Sequence, residues 1–172
     1  MKKLSIEEAK DLFFRYDGSK TGIERDLGDV YRNCKIPPDV EAQWVREIKN
    51  NLSDKIRCGK GSVLYSAIRS YCNLLKPADA NTFLTDFLSN HAMDSFTRLL
   101  LCELMKAHLK YYINEKMLFK KTDEKKELWT RFICDQKNLL LSSPFRVDPS
   151  YPADRIGYDF SEDRLRERIE SL

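Results

Sequence analysis

Apolar residues recur along most of the chain at spacings of three and four, which is the period of an amphipathic α-helix. The stripe formed by Val40, Trp44, Ile48 and Leu52 advances by one helical turn at each step. No segment alternates apolar and polar residues convincingly with the period of two that marks a half-buried strand. The sequence therefore predicts an all-α protein, with residues 1–172 forming a single-domain bundle of about six to eight helices.

Helix boundaries follow from capping residues, which satisfy the backbone N–H groups that a helix leaves free at its start. Asp94 or Ser95 is expected to cap a long helix that reaches about Met117, and Thr122 to cap the next helix. Residues 99–102 are apolar around more than one face of the long helix. We therefore expect that helix to lie at the centre of the domain.

Residues 143–160 interrupt the helical pattern. Pro144, Pro149 and Pro152 punctuate this stretch, and each proline lacks the backbone N–H that a regular helix or a central strand would use. The sequence predicts an irregular segment here, followed by a short helix that begins at Ser161.

The stretch from Ser62 to Tyr112 predicts two short helices followed by a long one. This order resembles the helical hairpins of HEAT and armadillo repeats, which implies a short stack of antiparallel helix pairs. The resemblance covers under a third of the chain and no repeated consensus motif accompanies it. It concerns architecture only and implies no function.

Composition indicates an ordinary globular protein, with 42% hydrophobic and 33% charged residues. The longest apolar stretches fall far short of a membrane span, and acidic residues interrupt the N-terminal segment where a secretion signal would be apolar. The five cysteines are odd in number and widely spaced, as free thiols are in a reducing compartment. We therefore expect a cytoplasmic protein without a membrane partner.

Metal and cofactor motifs are absent from the sequence. The chain has only two histidines, far apart, and no Cys-x-x-Cys pair. The loop at residues 17–22 resembles a calcium loop, but Gly28 stands where a bidentate glutamate belongs. It also contains Lys20 and Thr21 as a phosphate-binding loop does, but Ser19 replaces the required glycine. The sequence thus predicts no metal, no cofactor and no catalytic set.

Three residues are the candidates if the protein is an enzyme. Glu103 lies on a largely apolar helix with Arg98 nearby, where an ion pair is the simpler interpretation. His108 and Cys34 lack a neighbouring base or acid placed by the sequence. An enzyme is therefore the third hypothesis for function.

Lysines gather between Lys106 and Lys126, with aromatic residues among them, as on surfaces that bind single-stranded nucleic acid. Glutamate and aspartate residues interleave with these lysines, and the whole chain carries a net charge of only +3. A weak nucleic-acid-binding surface at Lys106–Lys126 is therefore the alternative hypothesis.

A non-enzymatic module that binds another protein, such as an adaptor, inhibitor or immunity-type factor, is the first hypothesis. Aromatic and arginine side chains dominate the energetics of protein interfaces, and they occur in an early loop and in the segment 143–160. The later segment either exposes its aromatic residues to a partner or packs them across the domain's own core. The candidate contacts are Tyr16, Lys20, Arg25, Phe145, Arg146, Tyr151 and Tyr158.

Overall fold

The computed structural model describes residue 46 and residues 52–73, 75–117, 123–153 and 158–172. All the regular secondary structure in these ranges is helical, which confirms the all-α prediction. The chain divides into two compact units, residues 1–74 and residues 75–172. None of the described helices combines the length and the apolar character needed to cross a bilayer.

The described part of the first unit contains a helical stretch at residues 52–57 and helix α1, Gly61–Asn73. Between them Gly59 adopts a φ of 70°, a left-handed conformation that glycine tolerates best and that commonly ends a helix. Helix α1 buries one face, and the Cys72 thiol on it is fully buried. Loss of hydration raises the pKa of Cys72 well above its ordinary range.

The described part of the second unit contains four helices: α2, Pro77–Asn90; α3, Ser95–Met117; α4, Glu124–Ser142; and α5, Glu162–Glu170. Helix α2 packs on α3, α3 packs on α4, and α4 packs on α5. Helix α2 is longer than the short helix expected there, because Pro77 occupies its first turn, where a missing N–H costs nothing.

Helix α3 supplies more of the buried side chains of the second unit than any other described helix, as its apolar sequence predicts. It begins where expected, because an Asp94 carboxylate oxygen lies 3.0 Å from the backbone nitrogen of Thr97 and accepts its hydrogen bond. Burial of the Cys102 thiol raises its pKa to about 12. The fully buried side chains of α3 include Phe96, Thr97, Leu99, Leu101, Cys102 and Met105.

Helix α4 begins at Glu124, and its N-cap is Asp123, which accepts a hydrogen bond from the Lys125 nitrogen at 3.0 Å. The prediction that Thr122 caps this helix is therefore wrong, because the neighbouring carboxylate is an equally suitable cap and takes the position. Helix α4 lies at the surface of its unit, since only a single stripe of its side chains is buried: Trp129, Ile133, Gln136 and Leu140.

Candidate functional site

Residues 143–153 and 158–160 form no helix or strand, and we call them the strap. The strap returns to the start of α3, where the Phe96 nitrogen donates to the Arg146 carbonyl at 3.0 Å. The Arg146 nitrogen donates to the Ser95 hydroxyl at 3.0 Å, and the Asp148 nitrogen donates to Asp94 at 3.2 Å. These bonds pair the strap's backbone with the Phe96 N–H, which the helix start leaves free, and with two side chains beside it.

A buried hydroxyl network reinforces this attachment. The Tyr151 side chain is only 4% exposed, and its hydroxyl lies 2.8 Å from the Thr97 hydroxyl. Thr97 in turn donates to Asp94 at 2.5 Å, so its proton is committed and the Tyr151 hydroxyl is the donor of the other bond. The aromatic residues of this segment were expected either to be exposed to a partner or to pack across the protein's own core. The Tyr151 ring packs into the core.

Phe96 is the centre of an aromatic cluster that joins the strap to α3. The Tyr151 and Phe160 rings meet it edge to face, with centroids 4.8 Å and 4.9 Å away, and Tyr158 lies at 5.7 Å. The Arg168 guanidinium stands 5.5 Å from the Phe96 centroid, within the range of a cation–π contact. Residues from the strap and from α5 therefore close over the same ring.

Helix α5 is fastened to α3 by a two-pronged ion pair. Arg168 donates from Nε to Glu103 Oε1 at 2.8 Å and from Nη2 to Oε2 at 2.6 Å. Lys106 and Lys137 donate to the carbonyls of Ser171 and Glu170, at the end of α5 where the helix dipole favours positive charge.

Glu103 therefore forms its ion pair with Arg168 and not with Arg98, the arginine that is nearby in sequence. Arg98 donates instead to the Leu88 carbonyl at 3.2 Å and to Gln136 Oε1 at 2.5 Å, which links α3 to the end of α2 and to the interior of α4.

An open apolar groove of about 440 Å³ lies between the end of α4, the strap and α5. Leu141 projects into it with 47% of its surface exposed, and Phe145 and Val147 of the strap line it half-buried. Glu162 and Arg166 of α5 supply its charged lining, with their side chains 3.9 Å apart. The groove is the candidate site; its remaining lining residues are Leu140, Ser143, Phe160, Leu165 and Ile169.

The predicted contact residues are dispersed in the structure. Phe145 lines the groove, and Arg146 is exposed on the same strap with its backbone bonded to α3. Tyr158 is half-buried against Phe96 and stacks on the Phe160 ring at 6.1 Å. Tyr16, Lys20 and Arg25 lie outside the described residues, so their role stays a prediction.

The candidate catalytic residues do not form a common site in the described part of the chain. Glu103 and His108 are five residues apart on α3, which separates them by about 140° around the helix. Glu103 is occupied by Arg168, whereas His108 Nε2 is buried without a hydrogen-bonding partner among the described residues. Cys34 lies outside the described ranges. Within these ranges no three His, Cys, Asp or Glu residues are grouped to hold a metal ion.

The lysines between Lys106 and Lys126 are partly engaged within the protein. Lys106 binds the Ser171 carbonyl, and Lys116 lies 3.7 Å from Asp123 and 5.6 Å from the Tyr112 ring centroid. Lys120 and Lys121 are not among the described residues. These internal partners reduce the positive charge that this surface offers to a phosphate backbone.

Sequence reasoning missed most of the groove, although one signal for it was present. Residues 139–141 are three consecutive leucines on a helix with a single buried stripe. Because consecutive residues point in different directions around a helix, only one of the three leucines can lie in that stripe. Leu140 is the buried one, so Leu139 and Leu141 project elsewhere. The surplus leucines could therefore have indicated apolar surface on α4.

No family model matches the chain, and neither a curated protein nor a solved structure is detectably similar to it. The fold thus defines an all-α helical protein, and the HEAT-like resemblance remains one of helix order alone.

Proposed function

We propose that this protein is a non-enzymatic protein-binding module whose groove takes a segment of another protein. The observation that carries the proposal is the exposure of Leu141 beside Phe145 in an open apolar depression. Contiguous exposed apolar surface rimmed by polar groups is typical of protein interaction sites.

The lining of the groove specifies the kind of segment that fits. Leu141, Phe145 and Val147 favour a partner that inserts one or two bulky apolar side chains. Glu162 and Arg166 are both strongly exposed and only weakly paired at 3.9 Å, so either can turn to a polar group flanking the insert. The expected ligand is therefore a short stretch of chain with an apolar anchor next to polar residues.

The attachment of the strap supports binding by holding one wall of the groove in place. The bonds from Ser95, Phe96 and Asp94 fix the strap backbone at residues 146 and 148, on either side of Val147. A wall that is already ordered loses little conformational entropy when a ligand enters. This preorganisation favours recognition of a partner segment over simple exposure of apolar residues.

The test is affinity capture from a lysate of the native cell with three tagged forms: the wild type, Leu141→Glu and Thr130→Glu. Leu141→Glu places a charge in the groove, whereas Thr130 is exposed on the same helix about 16 Å away and lies outside the groove lining. We expect a stoichiometric partner that the wild type and Thr130→Glu retain and that Leu141→Glu loses. Far-UV circular dichroism checks that all three forms are folded.

The capture is repeated with nuclease and at high salt, because phosphate contacts weaken steeply as salt rises. A partner that survives both washes and depends on Leu141 supports the groove. Retention of the same partner by Leu141→Glu, or its loss with nuclease, contradicts the proposal, and the second result favours the lysine surface.

A further inference from the structure

Helix α4 carries a second apolar face, separate from the groove. Leu128 is 59% exposed and Leu139 is 45% exposed, with the half-buried Phe132 between them. At about 100° per residue, positions 128, 132, 135 and 139 fall within an arc of about 60°, roughly 100° away from the buried stripe. We call these four residues the outer stripe.

The outer stripe has the spacing of a helix-pairing seam. Its steps of four, three and four residues are those of the seam positions in a coiled coil; three of the four residues are apolar, and the fourth, Asp135, is acidic. The spacing is the same in both directions along the helix, so the stripe can pack against the same stripe of an antiparallel copy. In that arrangement each Leu128 lies opposite Leu139 of the second copy, and each Phe132 lies opposite Asp135.

The charges beside the stripe complement themselves in the same arrangement. Arg131 and Asp135 are both exposed, and neither forms an ion pair with another described residue. When Phe132 faces Asp135 of the second copy, Arg131 is one residue away and its long side chain can reach that carboxylate. A two-fold axis repeats the contact, so two ion pairs would flank the centre of the seam.

We propose that the outer stripe is the docking surface for a second copy of this chain, with the two α4 helices antiparallel. The occupant is a second copy because both the spacing of the outer stripe and the charges at Arg131 and Asp135 are self-complementary. This interface does not depend on the groove, since Leu141 lies about 150° around the helix from the centre of the stripe.

The test measures molecular mass by sedimentation over a range of protein concentrations, with a reducing agent present because Cys58 and Cys134 are exposed. The wild type is expected to reach the mass of a dimer as concentration rises. Arg131→Asp and Asp135→Arg should each raise the dimer dissociation constant by about tenfold or more, since each brings like charges together across the seam. The double variant Arg131→Asp/Asp135→Arg restores opposite charges and should restore the dimer.

Two further variants separate this interface from the rest of α4. Leu128→Glu removes an outer contact and should give a monomer, whereas Thr130→Glu, on the opposite side of the helix, should leave the dimer intact. Leu141→Glu should also remain dimeric, so the loss of groove binding and the loss of the dimer can be observed independently.

A monomeric wild type at every concentration overturns the proposal. So does a dimer that survives both single charge reversals, or one that the double variant fails to restore, because each result removes the Arg131–Asp135 pairing. Circular dichroism on every variant confirms that a change in mass is not a loss of fold.

Discussion

Two buried polar groups in the second unit have no hydrogen-bonding partner among the described residues. They are the side-chain amide of Asn81 on α2 and the Nε2 atom of His108 on α3. A buried polar group that loses its bonds to water without replacing them costs about 1–3 kcal/mol. Each of these residues therefore supports a prediction at the scale of a single side chain.

Asn81→Leu is expected to raise the free energy of unfolding by about 1–3 kcal/mol, because leucine fills a similar volume without leaving polar atoms unpaired. Asn81 is 0% exposed on the same face of α2 as the buried Leu84 and Leu88. Chemical denaturation measures the change. Asn114→Leu is the control, since Asn114 is exposed and the same substitution there should change stability by no more than about 0.5 kcal/mol. A loss of stability in Asn81→Leu would show that the amide has a bonding role.

His108 is expected to make the protein less stable at mildly acidic pH. Burial lowers the pKa of His108 from its ordinary value of 6.5, because the charged imidazolium loses hydration. The unfolded chain, with the ordinary pKa, then binds the proton more readily than the folded chain, so stability rises with pH in this window. The contribution is complete above pH 6.5 and is lost as the pH falls below it through the lowered pKa.

Unfolding free energies measured between pH 5 and pH 7.5 test this prediction. His108→Gln should flatten the dependence in that window, because glutamine does not titrate. His91→Gln is the matched control, because it makes the same substitution at the chain's other histidine. An unchanged slope in His108→Gln would assign the dependence to other groups.

At the scale of elements, α5 depends on its contacts with other elements more than on its own sequence. It has nine residues, of which only Leu165 and Ile169 are buried. A helix this short is not stable alone in water. Its order therefore rests on those two side chains, the Glu103–Arg168 ion pair and the lysines at its end.

Arg168→Ala should loosen α5 without unfolding the rest of the unit. It removes two charge-assisted hydrogen bonds and the contact with Phe96, a loss of about 1–2 kcal/mol for a pair that is mostly shielded from water. Amide hydrogen exchange in α5 should accelerate about tenfold, since 1.4 kcal/mol corresponds to a factor of ten.

Arg164→Ala is the control for that experiment, because Arg164 pairs with Glu167 on the exposed side of the same helix. Its exchange rates should match those of the wild type. If Arg168→Ala exchanges no faster than Arg164→Ala, the ion pair with Glu103 does not hold α5.

The extent of α3 was predictable because its signals are local. Asp94 and the apolar residues 99–102 lie within one or two helical turns of the structure they specify. The N-cap of α4 was predicted at Thr122 instead of Asp123. The two residues are adjacent and both are suitable caps, so the sequence pattern does not indicate which of them takes the position. The partner of Glu103 could not be predicted from spacing, since Arg168 lies 65 residues away and meets it only after α5 has docked.

At the scale of the molecule, the sequence indicated the fold class but not the groove. The groove needs three elements that are distant in sequence, with Leu141, Val147 and Arg166 brought together by the path of the strap. That path is determined by backbone hydrogen bonds to the start of α3. The periodicity of apolar residues does not predict such bonds. The candidate contacts in the strap were chosen by residue type alone, so the buried Tyr151 and the groove residue Phe145 could not be distinguished beforehand.

The two proposed surfaces allow α4 to bind two partners at once. Leu139 and Leu141 are two residues apart, and about 200° of helix rotation directs them to different sides. A dimer through the outer stripe would thus present two grooves, and a ligand with two apolar anchors could gain avidity from engaging both.

The bond between Ser95 and Arg146 also has a consequence for the order in which the protein forms. It joins residues 51 positions apart. Closing so long a loop lowers the conformational entropy of the chain, and contacts formed afterwards must offset this free-energy cost. Helix α5 follows the strap and packs against the same Phe96 ring, so its docking surface is incomplete until the loop has closed. The strap and α5 should therefore be the last described part of the second unit to assemble and the first to open, as one cooperative folding unit.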